Sequence, residues 1–195
     1  MRILAGVVGL VATVAVSAQA QSSYFADRLV AAAVSQTSSR VTYDSSYRRI
    51  PYPGGDVPES VGACTDVVIR AYRAVGIDFQ VKVHEDMLRA FRAYPQLWGM
   101  AAPDSNIDHR RVPNLQTFFR RQGAELRVAR DPAAYVAGDL VTWMLPGNLP
   151  HIGIVTSRKA ESGTPLIVHN IGRGPEVEDV LFAYPITGHY RYQAP

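Results

Sequence analysis

The chain has 195 residues, 47% hydrophobic and 19% charged, enough for one domain with a real core. Its formal net charge at pH 7 is only +3 and its basic residues are scattered, as in "YRRIPY" and "HRRV", which excludes nucleic acid as a partner. A single cysteine excludes an internal disulfide.

Residues 1–20 read as a cleavable secretory signal peptide. Arg2 is a thin basic n-region, Ile3 to Val16 is small and apolar, and Ala18 and Ala20 form an A-x-A site. The apolar run is too short for a membrane span and no second run follows, so no integral membrane segment is expected after cleavage. No cysteine stands at the cleavage point, which argues against a lipid anchor. The mature chain, residues 21–195, is expected as one domain in the periplasm or outside the cell, with its formal charge lowered to +2 by the loss of Arg2.

Within 23–35, Phe25, Leu29, Ala32 and Ala33 fall at helical spacing. From Val41 to Gly62 the chain is irregular, with three tyrosines, three prolines and three glycines; so long a loop in a small domain is usually functional. Cys64–Val75 predicts a helix with Val67, Val68, Ala71, Tyr72 and Val75 on one face and Gly76 as its stop. Val83–Tyr94 predicts a second, closed by Pro95, and Pro113–Gln122 a third, closed by Gly123. Then follow short β-rich runs at 139–145, 151–157, 165–170, 177–184 and 187–192, separated by Pro-Gly, Ser-Gly and Gly-Arg-Gly-Pro turns. Helices first and adjacent strands later predict an α+β fold with a mostly antiparallel sheet of about five strands. No internal repeat or low-complexity tract interrupts it.

Cys64 falls at the first turn of its predicted helix. The unpaired N–H groups and positive dipole end there favour thiolate over thiol, and the same N–H groups can hold an oxyanion. A thiol nucleophile needs a base. Of the five histidines, His151 opens "HIGIV" and His169 ends "LIVHN". If these strands pair as an antiparallel hairpin, both histidines lie near one end, and His169 can hold the His151 ring in the useful tautomer. Asn170 is the rival for that role; neighbours on a strand point oppositely, so one of the two is expected to serve. The bland alternatives are a buried inert cysteine and satisfied strand-end histidines.

"GACTDVV", "GDLVTW", "HIGIV" and "IVHNIG", in that order, resemble the NlpC-type cell-wall cysteine peptidases, which are papain-like. More closely, "YPGGDVP", "CTDVVIRAYRAVGID", "NIDHRRVPNL", "HIGIV" and "HNIG" followed by "GHYRY" resemble the DUF 1287 family over about residues 40–192. The resemblance implies a papain-like domain with Cys64 as nucleophile, His151 as base and His169 as orienter. It implies peptidoglycan stem peptides as substrate and partner, with no metal or organic cofactor. The sequence departs from the usual Asp-Cys-Ser: Ala63 precedes Cys64, and Thr65 and Asp66 follow. Asp66 is therefore expected to complement the helix dipole and point away from the sulfur. A tyrosine upstream of the nucleophile often serves the oxyanion site in such enzymes; Tyr43, Tyr47 and Tyr52 are all in range. Thr65 beside the nucleophile and Asn170 near the base are further candidates for oxyanion or substrate contacts.

In "NIDHRR", Asp108, His109, Arg110 and Arg111 are candidates for lining the cleft and gripping a substrate carboxylate through Arg, or for tying the loop to the core. Trp143 is a candidate groove wall or a core residue. His84 in "VHEDM" lacks the H-E-x-x-H pattern, and His84, His109, His151 and His169 have no zinc-ligand spacing. "GRGP" lacks the following helix of a phosphate loop, and His189 is expected to be structural. The activity expected is hydrolysis of an amide bond through an acyl-enzyme. The alternatives are a non-catalytic wall-peptide binding module and an acyltransferase on the same fold.

Overall fold

The computed structural model describes residues 18–193. The expected signal peptide lies outside the described residues except for 18–20, which belong to the first helix. In chain order the elements are α1 (Ala18–Ser35), β1 (Thr42–Tyr43), β2 (Val61–Gly62), α2 (Cys64–Ala74), α3 (Phe79–Ala90), α4 (Val112–Arg121), β3 (Glu125–Leu126), β4 (Leu140–Leu145), β5 (Leu149–Lys159), β6 (Pro165–Asn170), β7 (Pro175–Glu178) and β8 (Ile186–Tyr190). The larger sheet runs β3-β8-β4-β5-β6-β7 with every neighbouring pair antiparallel, so the fold is α+β as expected. The strand beyond the expected five is β3, two residues paired to β8.

Several element boundaries differ from expectation by a few residues, and two of the differences have a plain local reason. Helix α3 begins at Phe79, not Val83, because the Asp78 side chain accepts the Gln80 N–H at 2.9 Å and caps the helix early. The expected strand at 177–184 stops at Glu178. Beyond it the chain turns, with the Ala183 N–H on the Val180 carbonyl at 3.0 Å. The Leu181 carbonyl there receives the Trp143 indole N–H at 3.0 Å. The irregular loop at 41–62 is closed at its ends by the parallel pair β1–β2, which sets Tyr43 opposite Gly62.

The sheet is buried on both faces, and strand alternation decides which residue goes where. On one side Leu140, Ile152, Ile154, Val168 and Tyr190 pack under the helices with Leu29, Val68, Tyr72, Phe79, Leu115 and Phe119. On the other, Tyr135, Val141, Trp143, Val155, Ile167 and Leu181 form a smaller cluster. Cys64 lies in the first cluster; His151 alternates with Ile152 and so falls on the second face.

Candidate active site

The site forms where β5 and β6 part. Their ladder reaches Ile154↔Val168 and goes no further, while β5 stays paired to β4 through His151 and β6 to β7 through Asn170. The Val155 N–H points toward the β4 side, to the Asp139 carbonyl at 2.8 Å. By alternation the Ile152 N–H points toward the gap, where its partner is the Cys64 sulfur. Cys64 is thus held in the gap at the start of α2, with its own N–H and that of Thr65 also directed at the sulfur. Asp66 turns away, as expected. Its Oδ2 accepts the Ala63 N–H at 2.6 Å, and both oxygens bind Arg110, Nε at 2.8 Å and a terminal nitrogen at 2.9 Å.

The helix terminus does not produce a thiolate in the resting protein. Burial pushes the Cys64 thiol up to about 11, outweighing the three N–H groups, and Asp66 adds to the rise. This corrects the expectation drawn from the helix start alone. Tyr43, pinned by β1, places its hydroxyl at the Cys64 sulfur, and burial followed by that neighbour pushes it up to about 12. Tyr43 is the tyrosine beside the Cys64 sulfur. Tyr47 lines the same cleft, whereas Tyr52 packs edge-on against His84 at 5.1 Å.

His151 and His169 meet on the second face. His151 Nε2 lies 2.8 Å from His169 Nδ1, and the rings are edge-to-face at 5.0 Å. Gly153 makes this possible: a Cβ there would lie 2.6 Å from Ile167 Cγ2 and 3.1 Å from His169 Cβ. Burial, then His169, depresses His151 to about 3, so both the thiol and the imidazole are neutral at pH 7. His169 also bonds Glu178 Oε2 through Nε2 at 2.9 Å. Nothing in the sequence marks Glu178, because a glutamate on an edge strand has no distinguishing spacing.

Cys64 and His151 line one cleft of about 710 Å³, whose mouth carries Tyr43, Tyr47, Trp98 and Leu149. The thiol and the imidazole do not bond each other directly; the His151 ring bonds only His169 among the described residues. The remaining sequence candidates play other parts. Thr65 lies on the cleft, its hydroxyl donating to the Arg110 carbonyl at 3.1 Å. Arg110 lines the cleft and is engaged by the Asp66 carboxylate and by the Asp44 and Ser46 carbonyls, so it ties the loop to α2. His109 is buried away from the cleft lining, with Nδ1 unpartnered. Trp143 is buried beside His151 at 5.8 Å between ring centres and supports that ring; it is no groove wall. Asn170 donates to the Gly62 carbonyl at 3.1 Å, fixing the strand end against the chain entering α2, while His169 takes the place beside His151. His189 bonds buried Asp139 at 2.7 Å. Among the described residues no group of three or more His, Cys, Asp or Glu side chains is arranged to hold a metal ion.

Arg111, from the "NIDHRR" run, lines the cleft, and so does Trp98, which no motif or spacing in the sequence marks. The Arg111 guanidinium lies 4.0 Å above the Trp98 ring. Trp98 has φ +68°, a conformation that a large side chain rarely adopts.

The family model described as "Domain of unknown function (DUF1287)" matches residues 30–192. An uncharacterized Escherichia coli (strain K12) protein, YijF, is 52% identical over 157 residues, which cover 80% of this chain and 77% of that protein. Among solved structures, "Structure of NlpC1 from Trichomonas vaginalis" matches at 13% identity with a TM-score of 0.46. That match covers 86% of this chain and 44% of the other, so the chain spans less than half of that protein's length.

Proposed function

The chain belongs to the DUF1287 family, and we propose that it is an exported thiol hydrolase that cuts an amide bond in the peptide part of peptidoglycan. The observation that carries this reading is the pairing of Cys64, at a helix start under three N–H groups, with a supported His151–His169 pair on one cleft.

The chemistry starts from a neutral pair. A substrate carbonyl enters beside Cys64. The thiol proton passes to His151 Nδ1 as sulfur bonds the carbonyl carbon, so the thiolate need never stand free in a buried site. The N–H groups of the α2 start and the Tyr43 hydroxyl stabilise the oxyanion. His151 then gives its proton to the leaving amine, and in the second half-reaction takes one from the water that releases the acyl-enzyme.

One observation favours a second reading. A thiol held near 11, with no bond to the imidazole, suits a cleft that binds a wall peptide without cutting it. Purified sacculi treated with wild type or Cys64→Ala, with fragments read by mass spectrometry, separate the two. Hydrolysis predicts peptide fragments from wild type alone. Retention of both proteins on the sacculi with no fragments supports the binding module.

A further inference from the structure

We infer that Glu178 is a positioning residue that fixes where the protons sit on both cleft histidines, leaving His151 Nδ1 bare toward the cleft. The consequence for catalysis rests on the thiol-hydrolase reading; the proton pattern does not. An ionised carboxylate offers only acceptors. At 2.9 Å from Glu178 Oε2, His169 Nε2 must carry the hydrogen. A neutral His169 then presents a lone pair at Nδ1. The 2.8 Å contact from that atom to His151 Nε2 needs one proton, which only His151 can supply. His151 is therefore protonated at Nε2, and its Nδ1 is the free base.

Without the carboxylate the reverse pattern is equally well bonded. His169 would then carry its proton on Nδ1 and donate to His151 Nε2, and a neutral His151 would hold its own proton at Nδ1. A nitrogen that already bears a proton cannot take one from a thiol. The choice between the two patterns is made at Glu178, three groups away from the sulfur.

The surroundings hold that choice in place. Arg173, in the turn between β6 and β7, donates to Glu178 Oε1 at 2.8 Å and to Glu176 Oε1 at 3.1 Å, so the carboxylate is oriented from its far side. His169 is fully buried, and burial holds it below its ordinary range despite Glu178. The charged or titratable groups facing it are His151 on β5, Glu176 and Glu178 on β7, and Arg173 in the turn. No other described carboxylate contacts either ring.

The test uses the full chain labelled with ¹⁵N-histidine, in which nitrogen shifts distinguish the two neutral tautomers. In wild type at pH 7, both rings should be protonated at Nε2. In Glu178→Gln the amide can accept or donate, so both rings should show mixed tautomers. The kcat of peptide release from sacculi should fall at least about tenfold with KM unchanged, since a wrong tautomer costs far more in a triad of the same logic. Glu178→Leu, with folding checked by circular dichroism, should do the same or more. A wild-type His151 protonated at Nδ1 overturns the inference, as do two folded variants with unchanged tautomers. Peptide release from sacculi by wild type is scored in parallel. Absent release with the stated tautomers sinks the hydrolase reading alone; release with the reversed tautomers sinks this inference alone.

Discussion

The Cys64 sulfur sits between opposed effects: three N–H groups favour the anion, and burial with Asp66 nearby disfavours it more. In the free protein, Cys64 alkylation should therefore keep accelerating as pH rises toward about 11, with no plateau near neutrality; a plateau below pH 8 would contradict the burial account. The buried histidines have the opposite consequence for stability. His151 is held to about 3 and His109 to about 4, both mainly by burial, against 6.5 in the unfolded chain. The unfolded state thus binds the extra protons first. The stability these rings contribute is full above pH 6.5 and is lost as pH falls toward 4, on the order of 2–3 kcal/mol for each. Urea midpoints measured from pH 7 to pH 4 should fall accordingly, well before carboxylate protonation dominates.

At the scale of elements, the site depends on two fixtures. The first is the flat spot on β5. Gly153→Ala should cost about 1–3 kcal/mol, because the Ile167 side chain and the β6 backbone have nowhere to retreat, and it should displace His169 and lower activity more than stability. Chemical denaturation and kcat measured on the same sample check this. The second is the Asp66–Arg110 pair, which joins the first turn of α2 to the 44–46 loop. Asp66→Ala leaves a buried guanidinium unpaired and an Ala63 N–H without its acceptor, and should cost about 3–5 kcal/mol. A combined Asp66→Leu, Arg110→Met protein should recover much of that loss in Tm, since the pair's removal leaves no orphaned charge.

For the whole molecule, the helices and the second apolar cluster clamp the sheet from both sides, while the cleft mouth is left apolar and exposed. Trp98 is half exposed there in a left-handed conformation that costs about 1–3 kcal/mol in a non-glycine residue. Such a cost at a cleft mouth is expected where the ring contacts substrate. Trp98→Gly should leave Tm unchanged or slightly higher while raising KM about fivefold, or about 1 kcal/mol. A fall in Tm with KM unchanged would make Trp98 structural. The order of the helices and strands, and the separation of Cys64, His151 and His169 along the chain, were readable because amphipathic periods of 3.6 and 2 survive in any context. The small strands β1, β2 and β3 were not, since two-residue elements carry no period.

The sequence by itself determined an α+β chain with one thiol at a helix start and two histidines at neighbouring strand ends. Those are local properties, set by alternation and capping. Only the tertiary structure decided that the thiol rests protonated, that Tyr43 is the tyrosine beside it, that Arg110 is tied into the fold, and that His169 bonds Glu178. Each of these depends on burial, or on a partner brought from a distant part of the chain, and neither leaves a mark at fixed spacing in the sequence.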